Sequence, residues 1–141
     1  MSILSDKLAE TGDGIICPVA VLIKDKKILI GLRNYTADKY KDISVWTIPG
    51  GRTDVGETVE ATLRREVAEE VGITDLLIHD YLGQLPGAKE GDIIYLFSCG
   101  TGQEPQLMEP EKFSEWRWSA FADIPENYIN PAALELIRKF I

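Results

Sequence analysis

Three carboxylates crowd one stretch of the chain. Glu66, Glu69 and Glu70 lie in GGRTDVGETVEATLRREVAEEVGI, residues 50–73, behind the consecutive glycines Gly50 and Gly51. An α-helix turns about 100° per residue, so the three would share an arc of roughly 100°. Glu66 and Glu70 then stand at i and i+4, a repelling pair unless something cationic sits between them. A solvated polar face is the commonest fate of helical glutamates, but it ordinarily mixes Glu with Lys at that spacing. Clustered carboxylate oxygens on a rigid scaffold suit Mg²⁺ or Mn²⁺, hard cations that keep several waters and engage substrate phosphates. On spacing alone both readings stay open.

Whatever these carboxylates do, other elements must hold them. Leu63, Val67 and Val71 fall on a neighbouring face of the same helix, an apolar stripe that can enter a core. The helical pattern runs from Glu57 to Val71, and Gly72 stops it. Before it, IICPVAVLI (15–23) reads as a buried strand, with Pro18 hinting at an edge or a bulge. KDKK is a turn and ILIGLR (28–33) the returning strand of a hairpin. After a polar loop, a short segment VWTIP leads into Gly50-Gly51. DLLIHDYL (75–82) and DIIYLFSC (92–99) are strand candidates separated by the loop GQLPGAKEG, and SEWRWSA (114–120) alternates like a strand. NPAALELIRKFI (130–141) is a terminal helix with Asn130 as N-cap and Pro131 at its first position. The expected fold is α/β, one domain spanning 1–141, with a mixed sheet covered by helices on both faces.

Composition bounds the function. With 141 residues, 45% hydrophobic and 27% charged, the chain is of ordinary globular make-up. Its formal charge of −8, without a Lys/Arg stripe, argues against binding a nucleic-acid polymer. The N-terminal MSILSDKLAETGDG has no basic region followed by an apolar run, and no apolar stretch is long enough for a membrane span. A cytoplasmic protein with no membrane partner is the expectation. Cys17 and Cys99 sit in apolar runs and read as buried small hydrophobes.

The spacing beyond the carboxylates narrows the chemistry. From Gly51 the chain follows G-x5-E-x7-R-E-U-x-E-E-x-G-U to Ile73, U being a bulky aliphatic, with Glu57, Arg65, Glu66, Glu69, Glu70 and Gly72 in register. At about 5–7% per residue type, such a coincidence arises on the order of once in 10⁸ windows. The stretch 51–73 resembles the Nudix box without a mismatch. WTIPGG before it, the hairpin ending in ILIGLR, and EPEKFSEWRWSAFADIP near the end are also similar to small Nudix nucleotide hydrolases.

The resemblance implies an α/β/α sandwich and hydrolysis of a nucleoside diphosphate linked to a further group, with Mg²⁺ or Mn²⁺ as cofactor. It assigns Glu66 and Glu70 as principal metal ligands with Glu69 beside them, and Glu66 or Glu69 as proton acceptor for the attacking water. Arg65 would orient a glutamate through a bidentate pair, and Glu57 would brace the loop. Gly50 would offer its carbonyl to the metal, and Gly51 would allow close backbone approach. A further carboxylate from beyond the box is sought among Glu109, Glu111 and Glu115, of which Glu111 aligns best. Arg33 is a candidate phosphate grip, and Tyr35, Tyr40 and Phe113 are candidates to flank a nucleobase. Trp116 and Trp118 share a sheet face and read as core, and His79 as an ordinary strand residue.

For the substrate, small size and the C-terminal similarity favour a (deoxy)nucleoside triphosphate, cleaved to monophosphate and pyrophosphate. ADP-ribose or another nucleotide sugar is the alternative, although Pro86 falls early for its specialists, and dinucleoside polyphosphates come third. A non-catalytic nucleotide-sensing domain is the competing class, disfavoured because all four box glutamates are present. Homodimers are frequent in such a family.

Overall fold

A computed structural model of the chain describes residues 2–34, 44–87, 89–128 and 130–140. Its elements are α1 (Ile3–Ala9), β1 (Ile16–Lys24), β2 (Lys27–Arg33), β3 (Val45–Thr47), α2 (Val59–Val71), β4 (Leu77–Pro86), β5 (Ile93–Gly100), β6 (Phe113–Ala120) and α3 (Pro131–Arg138).

The sheet is mixed. β1 runs parallel to β5 from Ile16↔Ile93 to Leu22↔Cys99, and β4 pairs antiparallel with β5 on its far side. β1 meets β2 only at the hairpin end, Ile23↔Ile28 and Lys24↔Lys27. Beyond that, β2 pairs with β6 and with β3. β1 and β2 therefore splay apart, and the backbone of 49–53 occupies the gap. Ala20 N–H donates to the Pro49 carbonyl at 2.8 Å, Gly51 N–H to Pro18 at 3.2 Å, and Thr53 N–H to Ile16 at 2.9 Å. Pro18 marks neither a sheet edge nor a bulge. It lies in an internal strand, and its missing N–H falls on the side of the splay, so the ladder to β5 loses no donor.

Helices cover both faces. Leu63, Val67 and Val71 of α2 are fully buried in a cluster with Ala20, Leu22, Leu29 and Phe97, and Trp116 and Trp118 pack on its margin. On the opposite face Ala133 and Ile137 of α3 join Val21, Ile30 and Leu96. Burying such aliphatic side chains contributes about 1.5–3 kcal/mol each. Cys17 and Cys99 are buried free thiols. Among the described residues no helix is long and apolar enough to cross a membrane.

The ends of α2 have local causes. Thr58 Oγ1 accepts the Ala61 N–H at 3.1 Å, so the helix begins at Val59 rather than at Glu57. Gly72, at φ 70°, closes it in the left-handed conformation that glycine adopts without strain. Two departures from the sequence reading concern weak periodicity. α1 has only the half-buried Leu4 and Leu8 as an apolar stripe, too faint a period to read. β4 continues to Pro86 because register shifts at Ile78/Asp80 and Tyr81/Gly83 absorb the residues that break its alternation. Asn130 stands at the N-cap of α3, but its side chain makes no capping bond; its amide donates to the Pro86 carbonyl at 2.9 Å. Tyr35 and Tyr40 lie outside the described residues.

Candidate active site

The three glutamates of α2 share a helix but not an environment. Glu70 is only 6% exposed, because the 49–53 segment lies across it, and its Oε1 accepts the Gly50 N–H at 2.9 Å. Burial pushes its pKa up to about 8; the Gly50 bond and the Arg33 charge oppose this, while Glu66 and Glu109 add to it. Glu66 is half-buried, and burial raises its pKa as well, against the pull of Arg65. It lies so close to Gly51 that a Cβ there would stand 2.5 Å from its Cδ. Glu69 keeps 47% of its side chain exposed and pairs with Arg65 at 3.2 Å.

Arg65 ties these groups together. Its Nε and Nη2 donate to the two oxygens of Glu57 at 2.8 and 2.9 Å, a planar fork on a carboxylate. Its Nη1 donates to Glu66 Oε1 at 3.1 Å and to Glu69. Glu57 also accepts from Thr62 Oγ1 at 2.5 Å and from the Asp54 N–H at 3.3 Å. The Arg65 fork first, and Thr62 next, hold the Glu57 carboxyl down at about 2. Glu57 thus braces the loop to the helix flank because it stays outside the first helical turn.

A cleft of about 800 Å³ opens beside these residues. Glu66, Glu70, Gly50, Gly51, Arg33 and Lys112 line one part of it, and Arg65, bonded also to Glu57 and Glu69, is tied to that wall through Glu66. Phe113 lines it too, but it is 1% exposed and its ring is engaged within the protein. The ring centroid lies 4.6 Å from that of Trp116 and 5.5 Å from the Arg33 guanidinium. His79 faces a separate hollow of about 380 Å³ beside Phe140, with no comparable cluster of charge.

Beyond the box, the structure brings Glu109 rather than Glu111 to the carboxylates. Glu111 is exposed on a turn and lines no part of the cleft, and Glu115 is exposed on β6 opposite Leu32. Glu109 has a side chain only 19% exposed, pairs with Lys112 at 3.4 Å and acts electrostatically on Glu70. The Lys112 and Phe113 N–H groups both donate to the Glu109 carbonyl. In so tight a curl, residues two apart face different ways. Linear spacing does not register that curl.

Sequence reasoning also missed Lys112, Arg52, Asp92 and Tyr128. Arg52 grips Asp92 with both terminal nitrogens at 2.5 and 2.7 Å, and reaches the Gly14 carbonyl at 2.8 Å, closing another wall of the cleft. Arg52 carried a signal in its place directly after the glycine pair. Asp92, Lys112 and Tyr128 carried none, since only folding brings them near the box.

Comparison with known proteins agrees with this fold. Among solved structures, the MutT protein from Methanosarcina mazei Go1 superposes with a TM-score of 0.71 at 22% identity, covering 89% of this chain and 91% of that one. An Ap4A hydrolase of C. elegans gives 0.70 at 22% identity, covering 88% and 94%. At such identities the likeness speaks for the fold. In sequence, an RNA pyrophosphohydrolase of Caulobacter vibrioides is 32% identical over 114 residues, 77% of this chain and 56% of its own length. The mitochondrial ADP-ribose pyrophosphatase of Rattus norvegicus is 44% identical over 64 residues, 45% of this chain and 16% of its own. The chain thus spans little more than half the length of the first of these relatives. The NUDIX domain profile matches residues 17–140, nearly the whole of the fold described above, and the chain belongs to the NUDIX family.

Proposed function

We propose that this chain hydrolyses a nucleoside triphosphate, deoxy or damaged bases included, to the monophosphate and pyrophosphate. One observation carries the reading: a single cleft pairs the carboxylates Glu66 and Glu70 with the cations Arg33 and Lys112, in a chain of formal charge −8. Carboxylates alone would repel a polyphosphate, and cations alone would bind it without turning it over.

Enzymes of this family generally use a divalent metal, and the donor set here fits one. Glu70 is a buried carboxylate whose only hydrogen bond among the described residues comes from a backbone N–H. Among the described residues no three such side chains already converge into a cage. That suits an ion completed by substrate phosphates and water, as Mg²⁺ prefers. Glu66 and Glu70 would hold it, with the Gly50 carbonyl as a further oxygen donor and Glu109 adding negative charge beside Glu70. The bound ion would supply charge neutralisation at the phosphates and acidify water.

The side chains of this chain do the rest. Arg33 and Lys112 bind phosphate oxygens, and Arg65 fixes Glu66 through Oε1. The oxygen of a water molecule bonds to phosphorus while the bridging α–β P–O bond breaks. The water's proton passes to Oε2 of Glu66, the oxygen that Arg65 leaves free. Burial raises the proton affinity of Glu66, in keeping with that role. Pyrophosphate leaves.

A second reading has its own support in the similarity to the Caulobacter RNA pyrophosphohydrolase: here the triphosphate is carried by the 5′ end of an RNA. The chain's acidity argues against a long contact with such a polymer. Both are tested by incubating the protein and Mg²⁺ or Mn²⁺ with the nucleoside triphosphates, ADP-ribose and a 5′-triphosphorylated oligonucleotide. Pyrophosphate released from free nucleotides supports the first reading. Release from the oligonucleotide alone favours the second, and release from neither, with ADP-ribose cleaved, refutes both.

A further inference from the structure

The loop that carries Glu57 is bonded along its length to an N-terminal arm, residues 10–14, which precedes the stretch matched by the NUDIX profile. The Gly12 N–H donates to the Glu57 carbonyl at 2.7 Å, and the Gly56 N–H to the Gly12 carbonyl at 3.1 Å. The Val59 N–H opens α2 and so has no acceptor within the helix; it donates to the Glu10 carbonyl at 2.9 Å. Arg52 Nη1 reaches the Gly14 carbonyl at 2.8 Å. The contact is close, since a Cβ on Gly12 would stand 2.2 Å from Cβ of Thr53. The backbone on both sides of Glu57 is therefore fixed by the arm. Glu10 in turn anchors the arm to the sheet. Its Oε1 accepts the Tyr95 hydroxyl at 2.7 Å and its Oε2 pairs with Lys7 at 3.2 Å. Lys7 lies over the Tyr95 and Tyr81 rings, 4.7 and 5.4 Å from their centroids. Tyr95 packs in the cluster beneath α2, whereas its neighbours Ile94 and Leu96 line the cleft.

We infer that Glu10 is a positioning residue for the reaction: through the arm it fixes Glu57, and through the Glu57–Arg65–Glu66 bonds it aims the carboxylate that takes the water's proton. Arg65 steadies Glu66 only as firmly as Glu57 steadies Arg65, and Glu57 belongs to the loop before α2, not to the helix. A loop tied down by the arm keeps that fork in place, and a small displacement of a proton acceptor lowers turnover steeply. Arg33 and Lys112 come from β2 and from the curl before β6, so phosphate binding does not pass through the arm. The effect on turnover rests on the pyrophosphohydrolase reading; the anchoring of the loop does not.

The test compares Glu10→Ala, Tyr95→Phe and the double variant in the full chain. Tyr95→Phe keeps the ring that Lys7 covers and deletes only the hydroxyl. Both kcat and KM are measured with a nucleoside triphosphate and Mg²⁺, and amide hydrogen exchange is followed over residues 53–60. In Glu10→Ala, kcat should fall about tenfold with KM within about a factor of two, and exchange over 53–60 should quicken by about tenfold or more. Tyr95→Phe should lose less, and the double variant no more than Glu10→Ala, because the hydroxyl acts only through Glu10. Glu10→Gln, whose amide oxygen still accepts that hydroxyl, should recover part of kcat. Unchanged loop exchange in a folded Glu10→Ala, an unchanged kcat beside a loosened loop, a loss confined to KM, or fully additive losses each overturn the inference. If Glu10→Ala does not fold, Tyr95→Phe decides by the same two readouts. If the wild-type protein turns over no nucleotide, the hydrolase reading fails separately. Exchange then decides the arm: faster exchange over 53–60 in Glu10→Ala supports it, and unchanged exchange overturns it.

Discussion

The Gly50 N–H donates to Oε1 of Glu70 at 2.9 Å, fastening the segment that fills the strand splay to a helix 20 residues further on. This bond needs an acceptor, not a charge. It separates the structural role of Glu70 from its electrostatic one, because an amide can accept the same N–H.

Glu70→Gln should therefore keep the fold while removing the buried charge. At pH 8 the metal-free variant should melt no lower than the wild type. Stabilisation by Mg²⁺ or Mn²⁺ should disappear, and turnover should fall at least about 100-fold. Thermal melts with and without the cation, beside an activity assay, check this. A variant still stabilised by Mg²⁺ to the wild-type extent would refute the metal role.

The pH dependence of stability follows from two opposite shifts. Glu70 is raised from 4.5 to about 8, so between those values the folded state holds a proton that the unfolded state has lost. Its contribution is complete below pH 4.5 and is lost as pH rises through about 8. Glu57 is lowered from 4.5 to about 2, so its contribution is present above pH 4.5 and is lost as pH falls through about 2. The metal-free protein should be most stable in mild acid, and a divalent cation should restore stability on the alkaline side. Urea melts from about pH 3 to 9, with and without Mg²⁺, measure both limbs.

Glu109→Gln and Glu111→Gln should differ sharply. The first removes the carboxylate that acts on Glu70 and should weaken divalent-cation binding on the order of tenfold. The second alters an exposed turn residue and should leave affinity within about a factor of two. Calorimetric titration of each variant with Mn²⁺ tells them apart, and equal losses would contradict the geometry of the turn.

Arg65→Lys keeps the positive charge but not the fork that spans both oxygens of Glu57 and reaches Glu66. Stability should drop by about 1–2 kcal/mol, modest because the Arg65 side chain is about one-third exposed. In kinetics kcat should fall while KM stays nearly constant, as expected for a residue that orients rather than binds. A rise confined to KM would assign Arg65 to the substrate instead.

The α2 scaffold and the carboxylates it displays were legible in the order of residues alone. Leu63, Val67 and Val71 repeat at helical spacing, and the interval from Gly51 to Ile73 is local, so one period carries both the buried stripe and the carboxylates. The strands of the core were readable for the same reason. Helix geometry placed Glu66, Glu69 and Glu70 on one shared face. Folding made one buried, one half-buried and one exposed, because the 49–53 segment crosses the helix at Glu70 and no rule of local sequence sets that crossing.

Which residues complete the site is settled by packing in three dimensions. Lys112 reaches it through the tight curl before β6, which also brings Glu109 within electrostatic reach of Glu70, and Tyr128 through the approach to α3. Each lies dozens of residues from the box, at spacings fixed by loop paths rather than by a helical or strand period. Periodicity reports which side of an element faces the core. It is silent on which distant loops meet above it, since those meetings depend on how whole layers pack.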